Sequence, residues 1–179
     1  MKLIGLIGRA RVGKDTVAEH LCSHHGFMQY AFADPMKDML EVVFGDRFRT
    51  GDREAPIDWL GKSPRHLMQT LGTEWGRNCI HPDLWTLLAE REVEYHAKYR
   101  YNLVISDVRF HNEADMILKH GGELWQVVRD GATVAEHISE QAQWANYDCR
   151  ILNNNGTLDQ LYRNIDLLVV EAAQNYQQG

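Results

Sequence analysis

An apolar run, Leu3-Ile4-Gly5-Leu6-Ile7, leads directly into a loop framed by Gly8 and Gly13, and the loop opens into a helix-like stretch, Thr16-Val17-Ala18-Glu19-His20-Leu21. No other feature constrains the fold so tightly. Strand, glycine-framed loop and helix in immediate succession form the unit that builds a phosphate-binding loop in an α/β domain. Gly8 and Gly13 let the backbone turn back, so that the N–H groups of Ala10, Arg11 and Val12 between them face an anion. The helix N-terminus adds its positive dipole end. Lys14 brings a point charge within reach of terminal phosphates, and a neighbouring hydroxyl suits Mg²⁺. The usual pattern has Ser or Thr directly after the lysine; here Asp15 takes that position and Thr16 follows. A glycine turn capped by Asp15 or Thr16 would need no ligand, but it would not need the lysine or this glycine spacing either.

Composition narrows the class. The chain has 179 residues, 44% hydrophobic and 25% charged, enough for one domain with its own core. Its net charge of −6 argues against a nucleic-acid polymer as partner, since that needs a basic stripe. Cys22, Cys79 and Cys149 are far apart and odd in number, which supports neither a disulfide framework nor a zinc site. His20, His24 and His25 cluster near the end of the first helix, but the sequence shows no third ligand, and a solvated helix end is the simpler expectation. No run approaches the ~20 apolar residues of a membrane helix, so no membrane partner is expected. The N-terminus does not read as a signal peptide. A cytoplasmic protein is expected.

Five short apolar segments read as strands of a mostly parallel sheet: residues 2–7, 28–33, 102–106, 123–128 and 149–152. Helical periodicity between them gives the alternation of an α/β fold. The first helix is expected over residues 14–25, with Gly26 at its end, and the second over 35–44. A third starts near Ser63, with Ser63 as N-cap and Pro64 at the first helical position; the stretch from Gly72 to Arg77 is expected to end it. Further helices are expected over 82–99, 111–120 and 157–175. The mostly helical excursion over 44–99 is where such a sheet often grips a second substrate, by analogy between folds. Exposed apolar surface on the 82–99 helix would be compatible with a homodimer.

Several side chains fall where chemistry would need them. Asp107 follows the apolar strand Asn102-Leu103-Val104-Ile105, and an acid at such a strand end faces Mg²⁺ in phosphate-loop enzymes; a plain helix cap is the alternative. Arg109 lies two residues further on. Arg65, in the first turn of its helix, can fork onto a phosphate. Gln69, one turn along, can read a base edge. Trp75 can stack on a base, or simply pack. Arg129 follows the run ending at Val128 and so lands on the strands' C-terminal rim, where ligands of open α/β sheets bind. The segment 130–146, with His137-Ile138-Ser139-Glu140 at its centre, is expected to act as a lid that keeps water from the phosphates, or else to be a surface helix.

Taken together, Gly8-x4-Gly13-Lys14-Asp15-Thr16, Ser63-Pro64-Arg65-x3-Gln69-x-Leu71-Gly72-Thr73, Ser106-Asp107-x-Arg109-x2-Asn112-Glu113 and His137-x-Ser139-Glu140 resemble the phage-type deoxynucleoside monophosphate kinases. The resemblance spans most of the chain in the family's order. It implies a P-loop NTPase fold of the nucleoside-monophosphate-kinase kind, a three-layer α/β/α domain over 1–179 with a five-stranded parallel sheet. The substrate-binding insertion would be 44–99 and the lid 130–146. It implies transfer of the γ-phosphoryl of ATP, with Mg²⁺, to a deoxynucleoside 5′-monophosphate, in the host cytoplasm if the protein is phage-encoded. On that resemblance Lys14 and the loop amides cradle the donor phosphates, and Thr16 and Asp107 serve the metal. Asp15 lies near the acceptor phosphate or the metal. Arg65 and Arg109 hold the acceptor, Arg129 bridges the phosphates, and Asn153, in the last strand and turn, lies beside the donor adenine. Gln69, Trp75, Asp107, His137 and Glu140 complete the acceptor side, the last two without an assigned chemical role. Region 44–63 is shorter than the corresponding insertion of some members, which leaves the accepted bases open. Two alternatives share the loop and sheet: another small P-loop kinase, such as one acting on dephospho-coenzyme A, and a nucleotide-binding switch without transfer. The Ser-Pro-Arg and Asp-x-Arg motifs and the several rim arginines count against both.

Overall fold

The structure is a computed structural model and describes residues 1–46, 48, 51–130 and 144–175, with side chains as far as 171. The elements in chain order are β1 (Leu3–Ile7), α1 (Lys14–His25), β2 (Phe27–Tyr30), α2 (Asp34–Phe44), α3 (Pro64–Gln69), a π-helical stretch (Thr70–Ile80), α4 (Leu84–Lys98), β3 (Asn102–Ile105), α5 (His111–Lys119), β4 (Glu123–Val128), β5 (Cys149–Asn153) and α6 (Leu158–Asn175). The chain forms two compact units, one of residues 1–30 with 93–179 and one of residues 31–92.

The first unit holds the sheet. Its five strands run in the order β2-β3-β1-β4-β5, and every pair is parallel. β1 is central and buried at all five positions, which is why it reads as a continuous apolar run rather than an alternating one. Its side chains divide between two helix layers. Ile4 and Leu6 join a core with Val17, Ala18 and Leu21 of α1, Trp125 and Val127 of β4, and Leu161 and Ile165 of α6. Gly5 points to the opposite face, where a side chain would run into Ile117 of α5, Leu124 and Val108. Each fully buried aliphatic side chain contributes about 1.5–3 kcal/mol, so this two-faced burial fixes the register of the central strand. The α/β class and the five-stranded parallel sheet are as expected from the sequence.

At the far end of α1, Gly26 accepts the helix stop and its N–H bonds Leu21 O. Here the expectation of a solvated histidine end holds for His24, which is exposed, but not for His20 and His25. His20 is buried, stacked between His24 and Tyr162 at centroid distances of 4.4 and 4.2 Å. Its Nε2 and that of His25 both meet Asp166 Oδ1 of α6, at 2.8 and 2.7 Å. The hydrogen bonds from His20 and then His25 hold the Asp166 carboxyl below its ordinary range. The partner is 146 residues away in sequence from His20, which is why the local pattern could not show it.

The second unit is helical. Ser63 caps α3 as expected, its Oγ accepting from His66 N at 3.2 Å, with Pro64 at the first position. The expectation that the run ends between Gly72 and Arg77 is corrected: the chain continues as a π-helix to Ile80. The reason lies in Trp85. Its indole is buried against Gly76, where a Cβ would stand 2.5 Å from the ring, and its Nε1–H donates to Gly72 O at 2.8 Å. A carbonyl drawn to a partner outside its own helix interrupts the regular ladder. Gly76 therefore makes room for an indole, and Gly72 supplies the carbonyl that holds it, instead of ending the helix. Gly76→Ala is expected to destabilise the protein by about 1–3 kcal/mol, the scale of overpacking, because the ring is held by its hydrogen bond. Denaturant unfolding checks this, and an unchanged midpoint would show that the ring moves freely.

Candidate active site

In a parallel sheet every strand ends on the same rim. The C-terminal ends of β1, β3, β4 and β5 therefore carry Gly8, Asp107, Arg129 and Asn153 along one edge. β1 stands where the strand order changes direction, with β3 on one side and β4 on the other, and ligands of such sheets bind at that reversal.

The loop after β1 is held by its neighbours. Gly8 has φ 137° and Gly13 φ 103°, both in the region that favours glycine. Space is as restrictive as torsion. A Cβ on Gly8 would stand 2.5 Å from Val127 O, and one on Gly13 would stand 2.5 Å from Asn154 Nδ2. Arg11 also has a positive φ of 66°, a conformation that costs a non-glycine residue about 1 kcal/mol or more and so marks a loop fixed by its surroundings. Val12 is buried in the core beneath it, while Ala10 and Arg11 face solvent. Gly13 is the N-cap of α1, and its carbonyl accepts from Val17 N at 3.0 Å. Lys14 Nζ donates to Gly8 O at 2.6 Å and to Arg9 O at 2.8 Å, so the ammonium lies within the loop at the helix N-terminus. Asp15 is exposed in the first turn and Thr16 is half-buried.

The contact from β5 comes from a residue the sequence reading passed over. Asn153 is exposed, and its Oδ1 accepts from Asn155 N. It is Asn154 that reaches the loop, donating Nδ2–H to Val12 O at 2.7 Å while its N–H bonds Val128 O at 2.8 Å. Asn155 in turn pairs with Asp130 twice, at 2.6 Å each way. The Asn-Asn-Asn-Gly run thus ties β4, β5 and the glycine loop together. Its turn-forming composition was visible in sequence; its target was not.

Beyond β3, Asp107 is half-buried, and Arg109 is exposed. The backbone between β3 and α5 is fixed by Glu113, which is only 2% exposed and whose Oε2 accepts from Arg109 N at 2.8 Å and Phe110 N at 3.1 Å. Phe110, not Asp107, occupies the N-cap of α5. Arg129, at the end of β4, is exposed. His137 and Glu140, with most of the expected lid, lie outside the described residues. The residues that follow are anchored on α5. Trp144 is buried against His111, and Tyr147 stacks on the same ring at 5.6 Å and donates its hydroxyl to Asp115 Oδ1 at 2.8 Å. Burial, then the bond to Asp115, raises the Tyr147 phenol to about 12.

In the second unit, Arg65 is exposed and its Nη1 meets Glu54 Oε1 at 2.7 Å. Both partners of that pair are largely in solvent, so it is worth little and leaves the guanidinium available to a stronger anion. Gln69 is exposed at the end of α3. Trp75 is 40% exposed and packs at 6.5 Å from Trp85, which leaves part of its face to solvent.

Comparison with known proteins fits this geometry. The family model described as Deoxynucleotide monophosphate kinase matches residues 2–57 and 59–165. A provisionally named deoxynucleotide monophosphate kinase of Acanthamoeba polyphaga mimivirus is 35% identical over 193 aligned residues, covering 97% of this chain and 99% of its own. The deoxynucleotide monophosphate kinase of Enterobacteria phage T4 is 24% identical over 235 aligned residues, covering 92% of this chain and 97% of its own. Among solved structures, dephospho-CoA kinase from Campylobacter jejuni aligns with a TM-score of 0.52 at 14% identity, over 95% of this chain and 96% of that one, a likeness that speaks for the fold alone. With the family model matching nearly all of this chain and a relative of more than 30% identity aligned end to end, the chain belongs to the deoxynucleotide monophosphate kinase family.

Proposed function

We propose that this kinase transfers the γ-phosphoryl group of ATP to a deoxynucleoside 5′-monophosphate, giving ADP and the deoxynucleoside diphosphate. The observation that carries the reading is the seat of Lys14, with its ammonium on the Gly8 and Arg9 carbonyls at the N-terminus of α1. A terminal phosphate offers that ammonium a fully charged partner in place of two neutral carbonyls, next to loop amides and a helix dipole of favourable sign.

The residues suit the group that the family implies. Two glycines whose Cβ positions are already filled by neighbouring atoms leave the backbone bare toward a phosphate. The Thr16 hydroxyl and the Asp107 carboxylate are hard oxygen donors of the kind Mg²⁺ takes. When bound, Mg²⁺ supplies neutralisation of charge on the transferred phosphoryl oxygens. The chain's own part is positioning. Lys14 and the amides of Ala10, Arg11, Val12, Gly13 and Asp15 orient the donor phosphates, and Arg129 offsets charge between donor and acceptor. Arg65 and Arg109 hold the acceptor monophosphate, with Glu113 setting the backbone of Arg109. The bond from the γ-phosphorus to the leaving ADP oxygen breaks as one forms to an acceptor phosphate oxygen. That oxygen is already anionic near neutral pH, so no strong base is required, and orientation with electrostatic stabilisation does most of the work. Asp15 sits in the first turn of α1, near the acceptor phosphate or the metal.

The remaining assignments extend the same reading. Residues 44–99 form the acceptor-binding insertion, where Gln69 and Trp75 contact the base, and residues 130–146 form the lid. The Asp130–Asn155 pair and the Trp144 and Tyr147 anchors fix described chain on either side of residues 131–143. Asn153 lies on the donor-adenine side, together with Asn154. Exposed Tyr95 on α4 and Tyr99 just beyond its end suit the expected homodimer, and the site of action is the cytoplasm.

A coupled ADP-release assay with each deoxynucleoside monophosphate in turn tests the reading; ADP release with none of them would remove it. Lys14→Ala is expected to lower kcat by at least about 10²–10³-fold, the cost of losing one preorganised stabilising group, with the melting temperature kept. Turnover near wild type in that variant would exclude the donor role. Arg65→Ala is expected to raise KM for the monophosphate about 10- to 100-fold, the range for losing a charged hydrogen-bonding partner, and to change KM for ATP far less. Equal effects on the two would take Arg65 out of the acceptor site.

A further inference from the structure

The cluster of His20, His25 and Asp166 lies apart from the phosphate loop. His25 is eleven residues along α1 from Lys14, about 16 Å at the helical rise. Nothing in phosphoryl transfer uses these side chains. Yet they form the one group of three metal-ligating side chains that converge among the described residues, with ligand atoms within 4.8 Å of one another. We propose that His20, His25 and Asp166 bind a divalent transition-metal ion of zinc's class, pinning α1 to α6.

Three observations carry this. The first is donor chemistry. Two imidazole Nε2 atoms and a carboxylate oxygen are the ligands that zinc, nickel and copper accept, and Nε2 is a common point of attachment. A two-histidine, one-carboxylate set leaves a fourth position for water.

The second is preorganisation. His20 is held between the rings of Tyr162 and His24, at 4.2 and 4.4 Å and nearly parallel to both. Its Nε2 is thereby aimed at Asp166. His24 serves as a stacking wall and not as a ligand, with its Nδ1 at 3.0 Å from Ser23 Oγ. His25 and Asp166 are more accessible, with side-chain exposures of 20% and 50%. They can open the few tenths of an ångström that metal–ligand distances of about 2.0–2.2 Å require, and they give an ion a path from solvent.

The third is an unmet polar group. His20 is 6% exposed, and its buried Nδ1 has no hydrogen-bond partner. In either tautomer that atom is an uncompensated donor or acceptor. The polar contact of the ring therefore runs through its Nε2 end, on Asp166. The pair that converges is His20 with His25, not the helical neighbours His20 and His24, and the third ligand comes from α6.

The inference does not depend on the kinase assignment, and its test is a binding measurement on nucleotide-free protein. Titration with zinc chloride alone, followed by calorimetry and by thermal unfolding, is expected to show one equivalent bound and a raised melting temperature, since an ion that binds only the folded chain stabilises it. Asp166→Asn and His25→Gln are each expected to weaken zinc binding by at least about tenfold, and His66→Ala, on the other unit, to leave it unchanged. Both ligand variants alter partly exposed side chains, and circular dichroism would verify that they fold. With cobalt(II) in place of zinc, visible d–d absorption is expected in the wild type and not in Asp166→Asn. Magnesium, which disfavours imidazole, should not displace either ion. Absence of zinc binding at millimolar concentration, or binding undiminished in both ligand variants, would overturn the proposal.

Discussion

The fit of a side-chain-free backbone against the ends of two neighbouring strands is the constraint on which this site depends. Where the chain leaves β1, Gly8 passes so close to the β4 backbone that no Cβ fits beside Val127 O, and Gly13 meets Asn154 from the turn after β5 in the same way. Only glycine satisfies both the torsion and the space. Because these contacts come from strands far along the sequence, the loop takes its shape only once the sheet has assembled. The phosphate site is in this sense a product of the sheet, not of its own nine residues.

The sheet also explains how distant residues come to share an edge. Parallel pairing places every strand's C-terminus on one rim, and the strand order puts β1 at the reversal. Asp107, Arg129 and the asparagine turn arrive there as a matter of topology. Small polar networks then refine them. Glu113, buried with its carboxylate on two backbone amides, sets the turn carrying Arg109, and the doubled Asp130–Asn155 bond joins the exits of β4 and β5. Buried, satisfied hydrogen bonds of this sort favour a unique geometry over a loose one, which is what a reaction governed by positioning requires.

The second unit follows another logic. Its π-helical stretch is built against Trp85, which needs the bare backbone of Gly76 beside its ring and the Gly72 carbonyl to accept its indole N–H. That single ring turns what reads as a helix terminator into a continuing π-helix, and it leaves Arg65, Gln69 and Trp75 with exposed surface. A helix whose ladder is opened by one inserted side chain is a common feature near functional sites.

How much of this was written in the sequence can be argued from particular residues. Where a local signal is not overridden by a distant partner, the reading and the structure agree. The apolar run of β1, the glycine loop, the Ser63–Pro64 helix start and the stop at Gly26 each rest on neighbours within a turn or two. The family itself was legible because its motifs are short and contiguous. What tertiary structure alone decided were the partners brought from afar. Asn154 rather than Asn153 touches the loop, because the chain turns toward it only after β5 has ended. Gly72 and Gly76 continue a helix because an indole thirteen residues from Gly72 bonds its carbonyl and fills the space beside Gly76. Asp166 gives His20 and His25 of α1 a common carboxylate, because α1 and α6 pack into the same core. A sequence states what each residue can do; burial and long-range proximity decide which of those capacities is used, and neither is a property of any short stretch of chain.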